Sequence, residues 1–112
     1  MRILFVEDNL NTGMAMKVML ELKGHSVDHV ANVKSALEKL SSDSYNLLIS
    51  DLTLPDGSGY DIVAKANVPA IALSGYTSGG DMDKAMQAGF KEYLTKPFKT
   101  EELLAAIERS AV

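Results

Sequence analysis

Three acidic residues, Glu7, Asp8 and Asp51, each follow a short apolar segment of the sequence and could together hold a cation. Glu7 and Asp8 come directly after Ile3–Val6, and Asp51 comes directly after Asn46–Ser50. Short apolar runs without a helical period are typical of buried strands, and open α/β sheets bind ligands at the carboxyl ends of their strands. If these two strands are neighbours, the three carboxylates repel one another, and a divalent cation relieves that repulsion. Oxygen ligands of this kind favour Mg²⁺.

A hydroxyl group and an ammonium group follow two later segments. Ser74 ends the apolar run that begins at Ala70, and Lys96 follows Tyr93–Thr95. A carboxylate that faces a metal ion, a hydroxyl and an ammonium group can attack a phosphoryl group and stabilise its negative charge. The residue types therefore predict phosphoryl chemistry, with Asp51 as the nucleophile.

Five strand–helix units position these residues. Strands are predicted at Arg2–Val6, Ser26–Ala31, Asn46–Ser50, Ala70–Ser74 and Glu92–Thr95, and helices at 10–23, 33–41, 60–66, 81–88 and after Thr100. Short connections and the right-handed crossover rule make the sheet parallel, with helices on both faces. Three strands are apolar throughout and two are mixed, which fits central and edge positions in the doubly wound order 2-1-3-4-5. We therefore predict an α/β fold with a five-stranded parallel sheet, in which residues 1–112 form one domain.

The composition excludes several other classes of protein. The 112 residues carry a net charge of −4, are 46% hydrophobic and include no cysteine. Without a basic cluster we expect no direct contact with nucleic acid, and without cysteine there is no thiolate metal site or thiol nucleophile. No apolar run reaches membrane-spanning length, and strand-like sequence from Arg2 leaves no room for a signal peptide. We expect a cytoplasmic protein whose domain makes no membrane contact.

The first predicted helix is apolar on more than one side. One stripe has apolar residues four apart and is predicted to face the core: Leu10, Met14, Val18 and Leu22. Three further residues widen the apolar surface: Met16, Met19 and Leu20. They form either a broader core face or a methionine-rich patch on which a partner docks.

Three residues near the first two strands have no evident role in this chemistry. Gly13 lies inside the first helix, where glycine costs about 1 kcal/mol relative to alanine. His25 and His29 lie on or beside the second strand, and we interpret both as surface residues because no further metal ligands lie nearby in the sequence.

Along nearly its whole length, the chain resembles the receiver domains of two-component response regulators. The resemblance rests on five segments that occur in the family's order and at its separations: Val6–Asn9, Asp51–Gly59, Ala72–Gly75, Ala88–Phe90 and Lys96–Phe98. It implies a flavodoxin-like (βα)5 fold. The segment between Gly59 and Pro69 is short for this family, so the third helix should be short.

The resemblance implies a role for each residue at the acidic edge. Asp51 would accept a phosphoryl group from a histidine kinase or a histidine phosphotransfer protein. Asp8, Asp51 and the backbone carbonyl of Thr53 would bind Mg²⁺, for which Mn²⁺ can substitute, and Glu7 would reach the ion through water. Lys96 would pair with the phosphoryl oxygens.

The same resemblance implies a conformational switch. Ser74 would move to hydrogen-bond the phosphoryl group, and Tyr93 would follow it from an outward to an inward rotamer. The bond between Lys96 and Pro97 would be cis. The switch surface would extend from the Gly75–Gly80 loop to Tyr93 and act on a downstream protein target. Apart from the resemblance, we hypothesise that the donor's helical bundle docks on the side of the first helix that carries Met16, Met19 and Leu20.

Other functions remain as alternatives. A degenerate receiver would act as a scaffold without phosphorylation, but such a protein should lack one of the site residues, and all of them are present. Aspartate-based phosphatases carry a second aspartate two residues after the nucleophile, where this chain has Thr53, and a flavodoxin-like FMN carrier would suffer repulsion from Glu7 and Asp8. We expect no effector domain after Val112, and therefore output through a partner surface or through onward phosphotransfer. The segment Ala72–Tyr76 and the compact ending resemble the receivers found at the C-terminus of hybrid sensor histidine kinases, and a stand-alone regulator is the alternative.

Overall fold

The structure is a computed structural model that describes residues 1–75 and 81–110. In chain order its elements are β1 (Arg2–Val6), α1 (Leu10–Leu22), β2 (Ser26–Val30), α2 (Val33–Ser42), β3 (Leu47–Asp51), β4 (Thr53–Leu54), β5 (Gly57–Ser58), α3 (Gly59–Val63), β6 (Ala70–Ser74), α4 (Asp81–Ala88), β7 (Glu92–Thr95) and α5 (Thr100–Ser110).

Five parallel strands form the central sheet in the order β2-β1-β3-β6-β7. Since β6 and β7 are the fourth and fifth predicted strands, the predicted order 2-1-3-4-5 is confirmed. The three central strands are almost entirely buried, whereas the edge strands β2 and β7 are partly exposed. This difference is what the apolar and mixed compositions of the strands predicted.

Alternate residues of the strands fill two separate cores, one on each face of the sheet. Leu4 and Leu48 contribute to the core covered by α2, α3 and α4. Phe5 and Ile49 contribute to the core covered by α1 and α5. Helices therefore cover both faces, as a doubly wound sheet requires. Within the described residues, no helix has the length and apolar character needed to cross a bilayer.

Of the two apolar faces of α1, the stripe predicted to face the core is exposed, and Met16, Met19 and Leu20 form the broader core face, which was one of the two alternatives for them. The stripe predicted to face the core is between 57% and 81% exposed: Leu10, Met14, Val18 and Leu22. The proposed docking patch instead faces inward, since Leu20 is 0% exposed and Met16 and Met19 pack against the core. The docking prediction is therefore wrong for Leu20, and Met16 and Met19 are only partly exposed. Periodicity identifies apolar faces, but it does not determine which of two such faces is buried.

Local elements differ from the predictions in small ways. Helix α3 has only five residues, Gly59–Val63, so it is short as expected and ends before the predicted Ala66. The loop after Asp51 contains a two-stranded antiparallel hairpin, β4 and β5, that was not predicted. Helix α5 includes Thr100 instead of being capped by it, because Glu102 Oε1 accepts a hydrogen bond from the Lys99 N–H at 2.9 Å. Of the predicted Gly75–Gly80 switch loop, residues 76–80 lie outside the described residues.

Candidate functional site

The neighbouring strands β1 and β3 bring the three acidic residues together. Val6 pairs with Ser50 in the register of these strands, so Glu7 and Asp51 are the next residue on each strand. One carboxylate oxygen from each of Glu7, Asp8 and Asp51 lies within 4.8 Å of the others. Glu7 and Asp51 are buried, whereas Asp8 is exposed. The sheet order therefore produces the acidic cluster that the sequence predicted.

Lys96 follows the edge strand β7, two strands away from β3, and its side chain reaches the acidic cluster. Its Nζ lies 2.7 Å from Glu7 Oε1 and 2.7 Å from Asp51 Oδ1. The Lys96 N–H donates to the Ser74 carbonyl at 2.7 Å, and the bond to Pro97 is cis. Asp51 Oδ1 has no oriented hydrogen bond among the described residues, so its contact with Lys96 is an ion pair. This buried oxygen is therefore compensated by the charge of Lys96.

The site residues line one open cavity of about 330 Å³ at the carboxyl edge of the sheet. Five of the predicted site residues border it: Asp8, Asp51, Thr53, Ser74 and Lys96. Glu7 lies beneath, against Asp51 and Lys96. Tyr93 is outside this lining, partly buried on β7 opposite Ala72, and packs against the core under α2, α3 and α4.

The two buried carboxylates affect each other's ionisation. Burial raises the pKa of Asp51 to about 7, and the hydrogen bond with Glu7 and the charge of Glu7 add to this effect, while Lys96 opposes it. Burial would also raise the pKa of Glu7, but hydrogen bonds with Asp51 and Lys96 and from the Asn9 N–H lower it to about 2. Burial would lower the pKa of Lys96, yet the two carboxylates raise it. Between these two pKa values the pair therefore holds one proton, mainly on Asp51, and at pH 7 about half of that proton is lost.

The donor set fits Mg²⁺. Mg²⁺ binds through one or two carboxylates and keeps several waters, and here the carboxylates of Asp8 and Asp51 line an open cavity with that of Glu7 close by. The buried Asp51 Oδ1 without an oriented hydrogen bond is a ligand atom that an ion would satisfy. Lys96 already neutralises one of the charges, so a divalent cation would balance the other two.

Gly59 allows the loop after Asp51 to return close to the site. Its N–H donates to the Leu52 carbonyl at 3.0 Å, and a Cβ at this position would lie 2.5 Å from the Asp51 carbonyl oxygen. Ser50 Oγ donates to that same carbonyl at 2.8 Å. Any larger side chain at Gly59 would therefore displace the backbone that carries Asp51.

Asp56 anchors the same loop to α2, a contact that sequence reasoning missed. Its carboxylate accepts hydrogen bonds from the N–H groups of Val33 at 2.8 Å and Lys34 at 3.0 Å. It thus completes the cap that Asn32 begins by accepting from the Ser35 N–H. An aspartate before a glycine predicts a turn, but the sequence gives no signal for a partner 23 residues away.

The two histidines are not simple surface residues, contrary to the prediction. His29 is half-buried, and its Nε2 lies 2.8 Å from the Glu7 carbonyl oxygen, directly behind the acidic cluster. His25 Nδ1 lies 3.2 Å from the Met1 ammonium group, and burial and that charge lower the pKa of His25. The local sequence around His25 and His29 indicates neither contact.

Comparison with known proteins identifies similar chains. The family model of the response regulator receiver domain matches residues 3–108. The swarming motility regulation protein RssB of Serratia marcescens is 35% identical over 96% of this chain, and the chain spans about half, 52%, of RssB.

Solved structures share the architecture. A CheY-like response regulator receiver domain protein from Methanospirillum hungatei JF-1 has a TM-score of 0.92 and 30% identity, over 98% of this chain and 92% of that one. The receiver domain of the sensor histidine kinase PA1611 from Pseudomonas aeruginosa PAO1 has a TM-score of 0.87 and 32% identity, over 98% of this chain and 96% of that one. That domain was solved with a magnesium ion coordinated in its active site cleft.

Proposed function

The chain belongs to the response regulator receiver domain family, whose members are phosphoacceptors in two-component systems, and we propose that its own acceptor is Asp51. The donor is a histidine kinase or a histidine phosphotransfer protein, and the reaction depends on Mg²⁺. The observation that carries this proposal is the buried Asp51 carboxylate, which faces an open cavity with one oxygen lacking an oriented hydrogen bond. Residues 1–112 would form a single receiver domain, because the five-stranded sheet, its helices and the β4–β5 hairpin account for all the described elements.

The proposed chemistry is a transfer of the phosphoryl group from histidine to aspartate. An Asp51 oxygen forms a bond to phosphorus, the bond from phosphorus to the donor's imidazole nitrogen breaks, and the imidazole leaves with that electron pair. Asp8, Asp51 and the Thr53 carbonyl would hold Mg²⁺, with Glu7 reaching it through water. The bound ion supplies positive charge next to the transferring group. Lys96 Nζ, already 2.7 Å from Asp51 Oδ1, compensates the charge on the phosphoryl oxygens.

The signal would leave the site through Ser74 and Tyr93. Ser74 lines the same cavity as Asp51, which supports a hydrogen bond from its hydroxyl to the phosphoryl group. Tyr93 lies one strand away on β7, directly beside β6. A shift of Ser74 would change the packing available to Tyr93 and so alter the surface offered to a downstream protein.

Hydrolysis of the phosphoryl group should be slow compared with that in aspartate-based phosphatases. Those enzymes use a second aspartate two residues after the nucleophile to activate water, and Thr53 carries no group able to do so. This favours a signalling role over a phosphatase. The scaffold alternative is disfavoured because Glu7, Asp8, Asp51 and Lys96 are all present and in contact.

The donor would dock on the exposed stripe of α1 defined by Leu10, Met14, Val18 and Leu22. Exposed apolar stripes mark protein interaction sites, and a helical bundle could cover this one. The stripe begins at Leu10, two residues after Asp8, so a bundle seated on it would bring its histidine close to the cavity.

The proposal is tested by intact mass after incubation with acetyl phosphate, with Mg²⁺ or with a chelator, beside the Asp51→Asn variant. We expect one added phosphoryl group that requires both Mg²⁺ and Asp51. Absence of modification with acetyl phosphate and with phosphorylated kinase or phosphotransfer protein, in a folded protein, would favour the scaffold alternative.

A further inference from the structure

We propose that His29 is a positioning residue for the metal site, because it fixes the peptide group between Glu7 and Asp8. The inference deepens the proposed function and rests on it. It concerns the contact between His29 of the edge strand β2 and the Glu7 carbonyl oxygen. It also explains the glycine at position 13.

Two neighbours, Phe5 and Glu7, contact the side chain of His29. It lies on β2 opposite Phe5 of β1, and the two rings meet edge to face with centroids 6.3 Å apart and an interplanar angle of 89°. Its Nε2 lies 2.8 Å from the Glu7 carbonyl oxygen. Because a carbonyl oxygen only accepts hydrogen bonds, Nε2 carries the hydrogen and donates it.

Gly13 provides the space that the ring occupies. A Cβ on Gly13 would lie 2.1 Å from His29 Nε2 and 2.2 Å from Cε1, far inside van der Waals contact. Glycine inside a helix is less favourable than alanine, and no positive φ requires it here. The close approach of the His29 ring is therefore the structural reason for glycine at this position of α1.

The result is that β2 holds both polar groups of the Glu7 backbone. The Glu7 N–H donates to the Val30 carbonyl at 3.0 Å, and the Glu7 carbonyl accepts from His29. The Glu7 carbonyl lies in the same rigid peptide plane as the nitrogen of Asp8. Since Asp8 is exposed, the direction of its carboxylate depends on the orientation of this plane.

The contact also restrains the Glu7 side chain. Glu7 Oε2 accepts from the Asn9 N–H at 3.1 Å, and Oε1 pairs with Lys96 at 2.7 Å. If the Glu7 peptide rotates, its carboxylate can no longer make both contacts and lie beside Asp51. Groups that orient metal ligands typically contribute 10- to 100-fold to metal affinity, and we expect about tenfold because His29 acts through the backbone.

The test compares three variants that separate the hydrogen bond from the packing of the ring. His29→Gln retains an N–H donor that is four bonds from Cα, as Nε2 is. His29→Leu retains bulk but has no donor. Gly13→Ala keeps the histidine at position 29 but adds a methyl group where its ring lies, so the ring must move. Alanine otherwise favours the helix. The measurements are the dissociation constant for Mg²⁺ by calorimetry, the ¹³C shift of the Glu7 carbonyl, and thermal unfolding without Mg²⁺.

We expect His29→Leu and Gly13→Ala to raise the Mg²⁺ dissociation constant about tenfold and to change the ¹³C shift of the Glu7 carbonyl. For His29→Gln, both the dissociation constant and this shift should be close to those of the unchanged protein. Saturating Mg²⁺ should restore most of the phosphorylation rate from acetyl phosphate. The inference is overturned if folded His29→Leu binds Mg²⁺ normally with an unchanged Glu7 shift, or if His29→Gln loses as much affinity as His29→Leu.

Failure of the proposed function has a different signature. If the unchanged protein neither binds Mg²⁺ nor gains a phosphoryl group, the proposed function is contradicted and the metal role of His29 with it. If the unchanged protein does both and the three variants match it, only the inference about His29 fails.

Discussion

At the scale of single residues, the site is a balance of buried charges. Asp51 and Glu7 lie side by side with one ammonium group between them, so one negative charge remains uncompensated when both carboxylates ionise. Burial and Glu7 raise the pKa of Asp51 to about 7 from its ordinary 3.8. Below about pH 7 the metal-free site therefore holds a proton on Asp51, where the loaded site would hold Mg²⁺.

This balance predicts that Mg²⁺ binding releases a proton. Below pH 7 the ion must displace the proton on Asp51, so Mg²⁺ affinity should fall about tenfold per pH unit, and above pH 7 it should level off. Calorimetry in buffers of different ionisation enthalpy measures both the affinity and the released proton. An affinity that stays constant between pH 5 and about 7 would contradict the raised pKa.

The same pKa predicts how the metal-free fold responds to pH. Because the folded protein binds the Asp51 proton more tightly than the unfolded chain does, this residue makes the fold less stable as pH rises from about 4 to about 7. Glu7 acts in the opposite sense, since its stabilisation is lost as pH falls through about 2. Asp51→Asn should remove the loss of stability between about pH 4 and 7, as measured by thermal unfolding without Mg²⁺.

Residues next to strand ends could be predicted from sequence, and residues that act through distant contacts could not. Glu7, Asp51 and Lys96 each follow a recognisable strand, so the fold alone brings them together. His29 and Asp56 act on backbone groups that are 22 and 23 residues away, and no local pattern reports such contacts.

At the scale of elements, α1 shows the limit of periodicity. Both of its sides are apolar, and the pattern alone predicted the wrong side as the buried one. The ring of His29 fits only at Gly13, and Leu20 fills the core beside it, so these contacts set the rotation of the helix. The buried side is thus determined by shape as well as by hydrophobicity.

A matched pair of leucines tests this orientation of α1. Leu20→Ala should lower the free energy of unfolding by about 2–5 kcal/mol, because it empties space in a closed core. Leu22→Ala, two residues further along at 81% exposure, should change it by less than about 0.5 kcal/mol. Urea denaturation of both variants measures the difference, and equal losses would contradict the observed rotation.

At the scale of the whole molecule, the predicted sheet order and the helices on both faces are confirmed. The apolar and mixed compositions separated the three central strands from the two edge strands, and the doubly wound order supplied their sequence in the sheet. The β4–β5 hairpin and the first residue of α5 were missed, because two-residue strands and side-chain caps depend on contacts that composition does not encode.

The exposed side of α1 leads to a prediction about donor recognition. Val18→Glu places a charge in the proposed docking stripe and should reduce transfer from a phosphorylated histidine phosphotransfer protein about tenfold. Met82→Glu on α4 is the matched control, since Met82 is 56% exposed against 57% for Val18 and lies on the other face of the sheet. Both variants should react normally with acetyl phosphate. Equal rates of phosphoryl transfer from the phosphotransfer protein to the two variants would argue against docking on α1.

The most direct test of the central claim is to locate the acceptor residue. Borohydride reduces an aspartyl phosphate to homoserine, so the protein is treated with acetyl phosphate and Mg²⁺, reduced, digested and sequenced by mass spectrometry. We expect homoserine at position 51 and nowhere else, and none when Mg²⁺ is chelated. An unmodified residue at position 51, or homoserine at position 8, would contradict it.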